Sequence, residues 1–448
     1  MMTESKDVFY KRLFSLVIPI AFQQFMLALV SASDSLMLGR LSQTALAAVS
    51  LAGQVSFVEN LFLVAMTIGL STLAAQYWGK QDRDAVEKLF AYVMKVTAGI
   101  AVLFFLAGVL VPEGLMRIFT GDTALIQDGA VYLRTVAPAY LLTGISQVYL
   151  CALKNSEQAT KVGIISSVSL CLNIIMNALL IYGLLGLPRL GIAGAAIATV
   201  ITRGIEAVWC VLETARKDRI KLRMKFLLKN DAILRHDFWR FAVPILGNQI
   251  VWGVGFTMYS VIMGHMGSDA VAANAIADIA KNLIICVSLG LANGTGIMIG
   301  NELGAGRFEQ AKEYGGRLCR LALLSGVVSA AVLLLVSPWI FKVTNMTPTA
   351  QGYLRAMLLM CTYNLIAKSV NCTTISGVFC AGGDARFGIR CDFTYMWCIT
   401  IPLGLLGAFV FYLPVLWVYF IVNLDELIKL PAVCLHYRNY TWLKNLTR

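Results

Sequence analysis

Apolar stretches of about 20 residues or more, separated by short polar and basic loops, recur along all 448 residues. They fall at roughly 13–38, 46–78, 87–111, 125–153, 162–186 and 190–214 in the first half. In the second half they fall at roughly 238–265, 270–301, 316–341, 351–380, 387–412 and 414–436. Strands that cross a bilayer need only about 10 residues, so segments of this length predict helices, which also satisfy their own backbone hydrogen bonds in lipid. The expectation is an all-α membrane protein with twelve transmembrane helices.

The pattern repeats. Ile18-Pro19 opens a segment that ends in Met37-Leu38-Gly39, and Val243-Pro244 opens one that ends in Met263-Gly264. A shift of 225 positions carries Pro19 to Pro244, Gly39 to Gly264 and Gly79 to Gly304. Six spans per repeat give both halves the same orientation, which predicts two pseudo-symmetric six-helix bundles. The expected division is an N-terminal lobe over 1–215, a basic linker over 216–237 and a C-terminal lobe over 238–448. Two similar lobes around a shared cavity are the sequence mark of a membrane transporter.

Composition supports a membrane protein: 58% of residues are hydrophobic, 14% are charged and the mean hydropathy is +0.73. The net charge of +12 does not point to nucleic acid, because its largest cluster, Arg216, Lys217, Arg219, Lys221, Arg223, Lys225, Lys229, Arg235 and Arg240, lies between the repeats. Under the positive-inside rule it reads as a cytoplasmic loop facing anionic lipid headgroups. Basic residues also follow spans two, four, eight, ten and twelve, so both termini are placed in the cytoplasm and the chain in the plasma (inner) membrane. Lys6, Lys11 and Arg12 precede a full-length span without a small-residue cleavage site, so the segment reads as a retained first span. Most of the 11 cysteines sit singly in apolar segments, where they read as small hydrophobes. His236, His265 and His436 form no cluster. No metal centre, cofactor or catalytic constellation is expected, and an enzyme is disfavoured.

The candidate chemistry lies in intramembrane polar groups. Asp34, in the first span, is the sharpest: a carboxylate there faces a partner or a water-filled cavity, and it can take up and release a proton. Its repeat counterpart is Tyr259, so the charge is no shared packing requirement; the plainer alternative is an interfacial aspartate. Pro19 and Pro244 are either gating bends or ordinary prolines near span ends. Asn173 and Asn177 share a helix face, as ion ligands or as interhelical hydrogen bonds. Tyr140 is open in the same way, and Thr199, on the small-residue face after Gly191, offers a hydroxyl. Arg203/Glu206 and Asp278/Lys281 stand at i, i+3 and Asp425/Lys429 at i, i+4, spacings at which charges neutralise each other. Arg203, Glu206 and Lys429 are read as structural pairs. Glu59, Asp278, Lys281, Lys368 and Asp425 are candidates for a substrate cavity, together with Gln249, Trp252 and Tyr259.

Several motifs in order carry a resemblance. They are Pro19…Asp34-x-x-Met37-x-Gly39, Ala75-Gln76-x-Trp78-Gly79, Leu187-Pro188-x-Leu190-Gly191-x-x-Gly194-Ala195-Ala196-x-Ala198-Thr199 and Gly382-Gly383-Asp384-Ala385-Arg386-Phe387. With the twelve spans and the repeat, the chain resembles the multidrug and toxic compound extrusion (MATE) family. The resemblance implies a V-shaped arrangement of the two bundles and secondary efflux in exchange for H⁺ or Na⁺. It implies that Asp34 couples ion binding to bending of the first helix at the proline. Family members with Na⁺ in this lobe use the positions of Asp34, Asn173 and Asn177, with a threonine like Thr199 nearby; some carry a second carboxylate where this chain has Asn177. Another branch uses acids in spans seven and ten. Here those spans offer Trp252 and Lys368, so that site is not carried over. The expected activity is efflux of amphipathic, cationic organic compounds by a chain for which a monomer suffices. The alternative is a flippase for a lipid-linked precursor.

Overall fold

The computed structural model describes residues 6–447 except 187, 216–222, 224, 227–230 and 344–345. Five members of the basic linker cluster, Arg216, Lys217, Arg219, Lys221 and Lys229, lie outside the described residues, as does Leu187. Among the described residues there are helices and no strands. The first repeat forms α1 (Lys6–Leu41), α2 (Gln43–Gly79), α3 (Arg83–Leu110), a short α4 (Pro112–Phe119), α5 (Thr123–Asn155), α6 (Ala159–Tyr182) and α7 (Gly191–Thr214). The second forms α8 (Ala232–Gly264), α9 (Ser268–Ile284), α10 (Cys286–Gly304), α11 (Phe308–Val343) and α12 (Pro348–Cys372). It ends with α13, which starts at Ala385–Asp392, then α14 (Val415–Val422) and α15 (Asp425–Arg438).

Nine helices among the described residues are long and apolar enough to cross a membrane, and α9 with α10 makes a tenth span bent by 43°. The remaining two of the twelve expected spans are α12, which carries Lys368, and the pair α14–α15. Polar residues such as Arg355, Asn364 and Lys368 keep α12 from standing out by hydropathy, and the break at Asn423 and Leu424 leaves α14 and α15 each too short to span alone. Two spans depart from the continuous helices expected. The eighth bends at Ile285, and the twelfth breaks at Asn423 and Leu424. Asp425 therefore starts a helix instead of lying within one. Wide π-turns over Thr373–Phe379 and Phe393–Thr400 prolong α12 and follow Asp392 in α13. Such turns shift the helical register locally.

The chain divides into two compact units that do not coincide with the sequence halves. One, here the N-terminal unit, comprises Met26–Ala74 and Asp82–Ala242; the C-terminal unit comprises Met1–Phe25, Ala75–Gln81 and Val243–Arg448. Glycines account for the exchange. In the C-terminal unit the start of α1 lies against α10, where a Cβ on Gly290 would stand 2.7 Å from Ala21 Cβ and one on Gly294 2.9 Å from Val17 Cγ2. In the N-terminal unit the start of α8 lies against α2, where a Cβ on Gly69 would stand 3.2 Å from Ala242 Cβ. Gly69 and Ala242 are the repeat counterparts of Gly294 and Val17. Each first helix thus begins on the second helix of the other repeat.

The ends of α2 and α10 meet in the same reciprocal manner within the C-terminal unit. A Cβ on Gly79 would collide with the backbone carbonyl of Asn301, and one on Gly304 with that of Gln76. Gln76 and Asn301 are themselves counterparts, so the sequence motif marks a close backbone approach repeated about a local two-fold relation. Gln76 also holds the chain terminus: its Nε2 donates to Ala381 O (2.7 Å) and Lys444 O (3.1 Å), and Leu446 N donates to its Oε1 (2.6 Å).

Candidate ion and substrate sites

In the N-terminal unit, α1, α6 and α7 form a cavity lined by Asp34, Asn173, Thr199, Thr202 and Arg203 with Val30, Ser169 and Leu170. Asp34 sits two turns before the end of α1 and is half-buried. Asn177 Nδ2 donates to Asp34 Oδ1 at 2.6 Å and to Asn173 Oδ1 at 3.2 Å; Asn173 Nδ2 donates to Thr202 Oγ1 at 3.1 Å. The i, i+4 pair read from the sequence is thus one strand of an amide chain running away from the carboxylate. Arg203 lines the same cavity and bridges to the buried Glu206 at 2.7 Å. Glu206 also accepts from Ser166 (3.3 Å) and Ser146 (3.4 Å).

The structure does not bring all the expected residues to this cavity. Thr199 lines it, but its hydroxyl donates to Ala195 O at 3.0 Å. Tyr140 lies apart in an apolar cluster with Ala52, Val55 and Leu133, and Ser56 Oγ donates to its hydroxyl at 3.3 Å. Glu59, expected among substrate-cavity residues, is buried in this unit, with Oε1 lacking a hydrogen-bond partner. Arg203 is close enough to attract both Glu59 and Asp34.

The C-terminal unit has its own polar cavity. Trp252, Tyr259, Asp278, Lys281, Lys368 and Asp425, all singled out in the sequence, line it; Gln249 does not. The Trp252 and Phe256 rings stack at 5.7 Å and give the cavity a flat wall. Lys281 Nζ stands 2.9 Å from Asp278 Oδ1 and donates to Asn423 Oδ1 at 3.2 Å, across the break in the twelfth span. Asn364 Nδ2 donates to the free carbonyl of Asn423 at 3.1 Å.

Two further lining residues, Asp425 and Glu426, belong to a cluster that the i, i+4 reading of Asp425 and Lys429 only half describes. Lys429 Nζ meets Asp392 Oδ1 at 2.8 Å, Asp425 Oδ2 at 3.4 Å and Glu426 Oε1 at 3.7 Å. Asn248 Nδ2, one turn after Pro244, donates to Asp392 Oδ2 at 2.6 Å, and Asn371 Nδ2 donates to Glu426 Oε2 at 2.8 Å. Sequence reasoning passed over Asp392. The available signal was a lone carboxylate inside an apolar span. Among the described residues no group of three or more His, Cys, Asp or Glu side chains is placed to hold a metal ion.

Helical spans in two repeats, each repeat with a polar cavity among its helices, are the architecture of a multi-pass membrane transporter. The MatE family model matches residues 19–179 and 244–406, one match per repeat, and the chain belongs to that family. It is 23% identical over 438 residues to the uncharacterized transporter YisQ of Bacillus subtilis, covering 96% of this chain and 95% of that one. It is 24% identical over 426 residues to the multidrug resistance protein MdtK of Yersinia pestis, covering 92% of each. Two solved structures share the fold. A MATE transporter in complex with MaL6 has a TM-score of 0.88 at 16% identity, covering 96% of this chain and 95% of that one. A MOP superfamily transporter from Pyrococcus furiosus has a TM-score of 0.87 at 16% identity over the same shares.

Proposed function

We propose that this chain is a proton-coupled antiporter that exports amphipathic, cationic organic compounds across the plasma membrane, with both termini in the cytoplasm and the monomer as the working unit. The observation that carries the proposal is Asp34, a carboxylate facing a cavity with an amide donor at 2.6 Å and a guanidinium on the cavity wall. Coupling requires that proton and substrate prefer different states of the protein. Protonation of Asp34 from outside favours release of substrate; loss of the proton to the cytoplasm resets the pump.

The surroundings favour H⁺ over Na⁺. Sodium is a hard cation that wants several oxygen ligands. Asn177 turns its NH₂ toward Asp34, Asn173 Oδ1 already accepts from Asn177, and Arg203 supplies positive charge in the same cavity. Ethidium efflux from proteoliposomes under an imposed pH gradient or an imposed Na⁺ gradient tests this. The pH gradient should drive efflux and the Na⁺ gradient should not; the reverse result would overturn the assignment. The flippase reading rests on Lys368, which lines the C-terminal cavity without an ion pair among the described residues and would meet a lipid phosphate. Translocation of a fluorescent lipid with no ethidium efflux would favour it.

A further inference from the structure

Three carboxyl groups in the N-terminal unit share one guanidinium. Asp34 on α1, Glu59 on α2 and Glu206 on α7 are all attracted by Arg203. Among the described residues Arg203 forms an ion pair with Glu206 alone, at 2.7 Å, and it lines the cavity that Asp34 faces. Glu206 does not depend on that pair. Ser166 and Ser146 donate to its two oxygens at 3.3 and 3.4 Å, and Lys154, in the last turn of α5, also attracts it. Glu206 would therefore keep partners if the guanidinium turned away.

Glu59 is the reverse case. It is 3% exposed, and its Oε1 has no hydrogen-bond partner. An ionised carboxylate left alone inside a span is expensive, so Glu59 holds a proton while it has no counter-charge. The scaffold does not require an acid there, because the repeat counterpart of Glu59 is Ile284. The neighbouring helices bring no other cation to it. From α5, Tyr140 is within electrostatic range of Glu59 but its hydroxyl already accepts from Ser56, and Tyr132 senses Asp34 instead. From α6, Asn177 serves Asp34 and Ser166 serves Glu206. The cation that acts on Glu59 is Arg203, which in this state is seated elsewhere.

Resting on the reading of Asp34 as the proton site, we propose that Arg203 is a positioning residue with two seats, and that Glu59 is the second. With Asp34 ionised, the guanidinium stays at the cavity between Asp34 and Glu206, and Glu59 keeps its proton. When Asp34 takes up a proton, its pull on Arg203 is lost. The guanidinium then turns to Glu59, which gives its proton to water and becomes the paired carboxylate, and Glu206 is left to its serines and Lys154. When Asp34 loses its proton the sequence reverses and Glu59 is protonated again. A proton bound on α1 thus changes the helix to which α7 is tied, and positive charge moves from the cavity wall to α2.

The test is a double-mutant cycle in melting temperature, on the full-length protein in detergent at pH 8.5, with Asp34→Asn standing for protonated Asp34. In the wild-type background Glu59→Gln replaces one neutral group with another and should leave the melting temperature within about 1 °C. In the Asp34→Asn background it removes the partner of Arg203 and should lower the melting temperature by about 3 °C or more. Equal shifts in the two backgrounds would overturn the second seat. In proteoliposomes Glu59→Gln should keep exchange of labelled for unlabelled ethidium and lose about tenfold or more of the movement driven by a pH gradient. Glu59→Asp, which keeps the carboxylate, should recover most of that loss, whereas a merely structural lesion would lower both readouts. Gradient-driven movement at the wild-type rate in Glu59→Gln would also overturn the proposal. The melting cycle is read without transport, so failure of the antiport reading would leave its result standing.

Discussion

Replacing Asn177 with aspartate should change the coupling ion. In the wild type, Asn177 Nδ2 donates to Asp34 Oδ1 at 2.6 Å and to Asn173 Oδ1 at 3.2 Å. A charge-assisted hydrogen bond of the first kind is worth about 1.5–3 kcal/mol. Asn177→Asp removes both donors and puts a second carboxylate against the first. At an effective dielectric constant of about 20, two unit charges at that separation repel by about 6 kcal/mol. This exceeds four tenfold steps in an equilibrium constant, each about 1.4 kcal/mol. Both groups therefore stay ionised only with a cation between them. Arg203 offsets one of the two charges, while Asn173 Oδ1 is released as an oxygen ligand next to Thr202. The variant should bind Na⁺. In the absence of pH gradients, an imposed Na⁺ gradient should now drive ethidium efflux. NaCl, compared with choline chloride, should raise the melting temperature, since ligand at 100 times its Kd adds about 2.7 kcal/mol of stability. If the variant keeps wild-type proton-driven efflux and shows no Na⁺-dependent shift in melting, then amide donation by Asn177 is not what excludes Na⁺.

Other consequences follow from packing. Gly304→Ala places a Cβ into the carbonyl of Gln76, so α10 must move off α2; a cost of about 1–3 kcal/mol is expected as a lower melting temperature. A variant that melts like the wild type would show that the approach is not tight. Trp442 is fully buried, stacks on Tyr437 at 5.7 Å and covers Gly382. Trp442→Ala should cost about 3–5 kcal/mol and open the chain terminus to carboxypeptidase; resistance equal to the wild type would refute the seating of the tail.

What the sequence made legible has a common physical basis. Spans and repeat are patterns of period and composition, and they survive without knowledge of contacts. Local charge pairs are equally readable: Arg203/Glu206, Asp278/Lys281 and Asp425/Lys429 all form the ion pairs that their spacing predicts. Long-range partners are not. The bond between Asp34 and Asn177 spans 143 positions, and Lys429 reaches Asp392 across 37 positions and a change of helix. Nor does composition reveal the break at Asn423, because an apolar run such as Val415–Val422 reads the same whether or not the helix continues. Tyr140, which the sequence leaves open between ion ligand and interhelical hydrogen bond, has its ring in an apolar cluster and its hydroxyl on Ser56, contacts that no local pattern reveals. The exchange of first helices between repeats depends on which glycines admit which neighbour, and one helix's sequence does not say what lies against it.

The central claim is that Asp34 couples proton movement to export. The most direct measurement compares wild type and Asp34→Asn in proteoliposomes by two readouts: ethidium movement driven by a pH gradient, and exchange of labelled for unlabelled ethidium with no gradient. The account predicts that the variant keeps exchange but loses gradient-driven movement, because substrate can still cross while the proton no longer drives it. Gradient-driven movement at the wild-type rate in the variant would contradict the account.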